Sequence, residues 1–160
     1  MRRARIATVW LSGCSGCHIS LLNLHGSLLD LLTQHDLVYS PLMDIKEYPR
    51  GVDIVLVEGA VANRENREMA AIIRERSGVV VSLGDCAVNG NVSGLRNPLD
   101  YSGVMRACYG EGGEPEAGTV EQLAKVMPLH QVVGVDAFIP GCPPEPLLIM
   151  QKLEQLLNSG

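Results

Sequence analysis

The residues in this 160-residue chain best equipped for chemistry are its cysteines, five in all: Cys14, Cys17, Cys86, Cys108 and Cys142. Cys14 and Cys17 form a Cys-x-x-Cys pair within Trp10 to Ser20, WLSGCSGCHIS. Cys86 lies in GDCAV, and Cys142 lies in PGCPPEP. Thiolates are soft ligands that suit an iron–sulfur cluster or zinc. A Cys-x-x-Cys at a strand-to-helix turn also fits a thioredoxin-type dithiol, its first sulfur acidified by the helix N-terminus. That reading leaves Cys86 and Cys142 as ordinary buried side chains and gives the proline-rich loop no task. Structural zinc usually takes two local cysteine pairs, whereas Cys86 and Cys142 stand far apart. Leu11 to Cys14, LSGC, has the form of a lipoprotein processing box. The apolar stretch before it, Ile6 to Leu11, is interrupted by Thr8 and falls short of the roughly 7–15 residues of a signal peptide.

The composition narrows the setting. Hydrophobic residues make up 46% of the chain and the net charge is −5, which fits a folded domain and argues against a disordered chain. A nucleic-acid binder would normally show a basic face, and Arg2, Arg3 and Arg5 are too short a run to make one. Five unevenly spaced cysteines in an aliphatic-rich chain do not read as a disulfide scaffold; they point to metal or redox chemistry in a reducing cytoplasm. No apolar run approaches the roughly 18 residues of a membrane span, so no direct membrane anchor is expected.

The elements that must place the cysteines alternate in type. Arg5 to Leu11, the run from Leu37 around Pro41, Val52 to Gly59, Gly78 to Gly84 and Val132 to Pro140 read as strands. His18 to Gln34, Asn63 to Ser77, Thr119 to Met127 and Pro143 to Leu157 read as helices, with Thr119 as a cap. Such alternation predicts an α/β fold with a mostly parallel sheet covered on both faces. Asp85 to Gly118, rich in Gly, Asn and Pro, is too long for an ordinary connection and is expected to serve a partner interface. With no repeat or linker, residues 1–160 read as one domain. Cys14 and Cys17, Cys86 and Cys142 each follow a strand. Loops at the carboxyl ends of parallel strands share one edge, where open α/β sheets place their ligands.

Taken in order, GCSGC, LGDCA and PGCPPEP resemble the small subunit of [NiFe] hydrogenases and, more distantly, the 20-kDa subunit of respiratory complex I. The resemblance implies a flavodoxin-like three-layer domain holding a proximal [4Fe-4S] cluster, with Cys14, Cys17, Cys86 and Cys142 as ligands and Cys108 incidental. The complex I relatives have adjacent cysteines in the first motif; Ser15 and Gly16 separate them here, as in hydrogenases. No cysteines remain for a second cluster after Cys142. That pattern resembles the short small subunit of cytoplasmic NAD-reducing (bidirectional) hydrogenases or of related electron-bifurcating complexes. The implied function is electron transfer between the Ni-Fe site of a large subunit and an NAD-linked diaphorase. The Ni-Fe centre and FMN are expected in partner subunits, the latter alongside diaphorase iron–sulfur and flavin chains. The first loop lacks a Ser/Thr-rich phosphate cradle, so no tightly bound FMN is expected in this chain.

Other residues are read more plainly. Glu58 ends a strand on the cysteine edge and is expected to bond a loop, with proton transfer as the alternative. His18 is positioned to donate to a sulfur. His25, His35 and His130 read as surface or helix residues, Trp10 as core and Arg96 as solvated.

Overall fold

The computed structural model describes residues 2–112 and 118–158. In chain order its strands are β1 (Arg5–Trp10), β2 (Asp36–Tyr39), β3 (Val52–Glu58), β4 (Val61–Asn63), β5 (Ser77–Leu83), β6 (Gln122–Met127) and β7 (Ala137–Ile139). Its helices are α1 (Gly16–Leu22), α2 (Gly26–Gln34), α3 (Arg64–Arg76), α4 (Asp85–Asn89), α5 (Tyr101–Tyr109) and α6 (Pro146–Asn158). Five strands pair in the order β2-β1-β3-β5-β7, every neighbouring pair parallel. That is the doubly wound order of flavodoxin-like folds, with the reversal between β1 and β3.

Two apolar layers hold the sheet, because successive strand residues face opposite sides. Ile6, Ile54, Leu56, Val81, Leu83 and Ile139 pack with Leu21 and Leu31 and with Ile149 and Leu153 of α6. Ala7, Val9, Val55, Val57 and Val80 pack on the other side with Ala70 and Ile73 of α3 and with Leu129. Asn63 caps α3, its side chain accepting from the Asn66 N–H at 2.7 Å.

Several elements differ from the sequence expectation. The helix expected over His18 to Gln34 is two helices. His25 takes a positive φ of 49°, and the turn buries Leu24. Thr119 to Met127 is not a helix: Gln122–Met127 is a strand antiparallel to β4. The Asn97 side chain pairs with both backbone groups of Val126 at 2.8 Å, and Val126 is buried beside Ala60 and Ala62. Tertiary pairing overrides the local helix preference there. The last strand is confined to Ala137–Ile139, after a 3-10 turn at Leu129–Gln131. The segment from Asp85 is ordered into α4, a 3-10 turn at Val92–Arg96 and α5; residues 113–117 of it lie outside the described residues. Arg96 is not merely solvated. Its guanidinium donates to the carbonyls of Ala62, Leu123 and Ala124 at 2.7–3.3 Å, fastening this segment to β4 and β6. No helix among the described residues is long and apolar enough to cross a membrane.

Asp136 directly precedes the edge strand β7. Its N–H donates to Val80 O at 2.8 Å, and its carboxylate accepts from Val80 N at 2.7 Å and Arg74 at 2.6 Å. Partial burial pushes its pKa up, but the Val80 N–H and the Arg74 guanidinium outweigh this and lower it from the ordinary 3.8. A depressed carboxylate stabilises the fold above its unfolded value and loses that contribution as pH falls through the folded one. Asp136→Asn is therefore expected to lower the melting temperature at pH 7. It should also flatten the acid dependence below about pH 3.8, as read by thermal denaturation across pH.

Candidate metal centre

The site is built at the carboxyl ends of β1, β3, β5 and β7. Beyond β1 and β3 the two chains run on together. Leu11 N donates to Glu58 O at 2.8 Å, Ser12 N to Ala60 O at 3.0 Å and Ala60 N to Ser12 O at 2.8 Å. Only glycine fits at Gly59, where a Cβ would stand 2.8 Å from Leu11 C and 2.9 Å from Ser12 N. This contact sets Glu58 beneath the CSGC loop.

Glu58 then does what a local capping residue would do for α1. Ser15, at φ 66°, makes no side-chain cap, which leaves first-turn N–H groups without helical partners. The Glu58 carboxylate accepts from the N–H of Cys17 at 3.4 Å and of His18 at 2.9 Å. It also pairs with His18 Nδ1 at 2.5 Å. Glu58 is 1% exposed and His18 3%. His18 is thus held by a carboxylate, and its Nε2 is buried without a hydrogen-bond partner among the described residues.

Cys86 and Cys142 arrive from the other side. Gly84 N donates to Ile139 O at 2.8 Å, continuing the β5–β7 ladder into both cysteine loops. Gly84 has φ +80°, and a Cβ there would lie 2.2 Å from Cys17 Sγ. A Cβ on Gly16 would lie 3.2 Å from Cys14 Sγ and 4.0 Å from Pro143 Cβ. Ser20 Oγ donates to Pro144 O at 2.5 Å, tying α1 to the Cys142 loop. Four cysteines from three separate loops are therefore gathered at one end. Cys17 is buried, Cys86 half-buried, and Cys14 and Cys142 are exposed. The Cys17 thiol is pushed up to about 12 by burial first, then by Glu58 and by Cys14, Cys86 and Cys142.

The donor set fits an iron–sulfur cluster. The sulfurs are soft, glycines clear the space beside two of them, and a coordinated metal deprotonates a thiol that burial alone keeps protonated. Among the described residues, no group of three or more His, Cys, Asp or Glu could hold a metal ion as a compact set. A cluster, whose own sulfides separate its irons, accepts ligands set more widely. Gly84→Ala would drive a methyl into the Cys17 sulfur at a left-handed φ. Overpacking costs about 1–3 kcal/mol, and a side chain at φ 80° and ψ 161°, a region nearly confined to glycine, costs about 1–3 kcal/mol more. The expected result is a lowered melting temperature and loss of bound iron, checked by calorimetry and metal analysis.

The remaining residues fall as follows. Cys108 is exposed on α5 and is not among the cysteines that act on the Cys17 thiol. Trp10 is not core: it is 46% exposed at the end of β1, where its indole N–H donates to Gly13 O at 3.1 Å. His25 and His130 are exposed and His35 half-buried; His130 lies edge-on to Phe138. Sequence reasoning missed Ser20 as a tie between loops. Its only signal was a small polar residue on the inward face of an apolar helix.

The family described as NADH ubiquinone oxidoreductase, 20 Kd subunit, matches residues 14–156. A component of the F420-non-reducing hydrogenase of Methanothermobacter marburgensis is 42% identical over 167 residues, covering 98% of this chain and 54% of that protein. The delta subunit of the NAD-reducing hydrogenase HoxS of Cupriavidus necator is 36% identical over 166 residues, covering 98% and 79%. A crystal structure of NAD+-reducing [NiFe]-hydrogenase in the H2-reduced state superposes with a TM-score of 0.91 at 33% identity, over 98% of this chain and 93% of the other. The chain spans about half the length of the F420-non-reducing relatives.

Proposed function

The chain belongs to the NADH ubiquinone oxidoreductase 20 Kd subunit family, among its [NiFe] hydrogenase small subunits, and on that footing we propose that it is the electron-transfer subunit of a hydrogenase complex in the cytoplasm. In this reading residues 1–160 form one domain holding one [4Fe-4S] cluster on Cys14, Cys17, Cys86 and Cys142. The observation that carries it is the gathering of Cys14, Cys86 and Cys142 around Cys17, whose sulfur packs against Gly84 of the Cys86 loop.

A bound cluster supplies one-electron storage. The chain's own residues hold it rigidly and shield one side of it. Glu58 fixes the first loop, Gly84 lets Cys17 pack against the Cys86 loop, and Ser20 ties the Cys142 loop to α1. The exposed sulfurs Cys14 and Cys142 face outward, and Ile19 on α1 with Leu147 and Leu148 on α6 are exposed too. Such apolar surface beside the site suits a large subunit carrying the Ni-Fe centre. Electrons then pass to an NAD-linked diaphorase with its own iron–sulfur and FMN groups. The 36% identity to the HoxS delta subunit and the fit to the NAD+-reducing enzyme support NAD as final acceptor. The 42% identity to a component of an F420-non-reducing hydrogenase favours a second reading with another acceptor.

The test is purification with native partners, followed by iron and sulfide analysis and hydrogen uptake with NAD+ or other acceptors. About four iron and four sulfide are expected in this chain once it is separated from its partners, with uptake by the complex dependent on NAD+. Colourless, iron-free protein would remove the proposal, and uptake with a different acceptor alone would select the second reading.

A further inference from the structure

The loop that carries Cys142 is poor in backbone donors. Its sequence is Pro140-Gly141-Cys142-Pro143-Pro144, and proline has no N–H. Only Gly141 and Cys142 can donate from the main chain. Both polar backbone groups of Gly141 are taken by a single residue from another loop. Asp85 N donates to Gly141 O at 2.9 Å, and Asp85 Oδ1 accepts from Gly141 N at 2.7 Å. Asp85 is half-buried, opens α4 and directly precedes Cys86.

We infer that Asp85 is the positioning residue for Cys142: its carboxylate fixes the fourth sulfur relative to the third. The inference rests on the cluster assignment proposed above for its consequence, but the tie itself lies wholly within this chain. One side-chain oxygen and one N–H form a closed pair of hydrogen bonds between two cysteine loops. A hydrogen bond to a charged group is stronger than a neutral one. With Asp85 Oδ1 removed, the Cys142 loop keeps the Asp85 N–H bond and the Ser20 tie to Pro144 O, but Gly141 N–H loses its acceptor. The corner of the cluster held by Cys142 then becomes the one that opens.

The experiment compares Asp85→Ala and Asp85→Asn with the wild type, each as the full chain purified in its complex. Hydrogen exchange is read on the peptide containing Gly141, and electron paramagnetic resonance with iron analysis reads the cluster after mild oxidation. Asp85→Ala should exchange about tenfold faster at Gly141, the effect of losing one hydrogen bond, and should convert four-iron to three-iron signal. Asp85→Asn keeps an acceptor oxygen but loses the charge, and should lie between the wild type and Asp85→Ala in both. If Asp85→Ala does not fold, Asp85→Glu, whose acceptor is displaced by one methylene, should show the same faster exchange. Unchanged exchange and no gain of three-iron signal over the wild type in Asp85→Ala would overturn the inference. So would Asp85→Asn behaving like Asp85→Ala. The exchange reading needs no metal, so an iron-free wild type defeats the proposed function while the exchange ratio still decides the role of Asp85.

Discussion

A Cys17→Ser chain, separated from its partners and analysed by itself, is expected to be colourless and to fall from about four iron per chain to under about one. Cys17 is the buried member of the four. Its sulfur lies against Gly84, with the Glu58 carboxylate and three other cysteines within electrostatic reach. An exposed ligand position can be filled by water or a neighbouring group after substitution. A buried one cannot, and serine supplies a harder, more basic oxygen that iron–sulfur clusters accept poorly. Cys108→Ser is the matched control and should keep its iron, because Cys108 sits on the outside of α5. Iron retained in Cys17→Ser and lost in Cys108→Ser would reverse the assignment.

Glu58→Ala is expected to destabilise the fold more than Asp136→Asn or Asp85→Ala. It deprives three buried donors of their acceptor: the Cys17 and His18 N–H groups and the His18 ring. Removing one partner of a buried ionisable pair costs about 3–5 kcal/mol. For a domain of this size that is a fall of roughly 6–20 °C in melting temperature, measurable by calorimetry on the isolated chain. Glu58→Gln keeps an acceptor oxygen at the same reach and should lose less than half as much. Equal losses in the two variants would show that the charge, and not the capping of α1, is what the site requires.

The parts of this fold written locally can be read from the chain. β3 and β5 each contain an unbroken apolar run, Ile54 to Val57 and Val79 to Val81, and parallel strands must send their following loops to one edge. The common placement of Cys14, Cys17, Cys86 and Cys142 follows from those two facts. What depends on distant partners is not legible. Gln122–Met127 has the spacing of a helix, yet Asn97 and β4 make it a strand. Asp136 replaces the start of an expected strand with a side-chain clasp on Val80. His18 faces Glu58 across forty positions of sequence, while its neighbour in the chain is Cys17, so local reading points to sulfur as its partner. Trp10 belongs to an apolar run that suggests core, but β1 ends at that residue.

The unequal exposure of the four thiols bears on how the protein matures. Cys14 and Cys142 stand at the rim while Cys17 lies underneath. Iron and sulfide delivered from solution meet the rim first and reach the inner thiol through it. In the proposed reading a partner seated across that rim would shut the loading route, and the cluster would have to be installed before the subunits join.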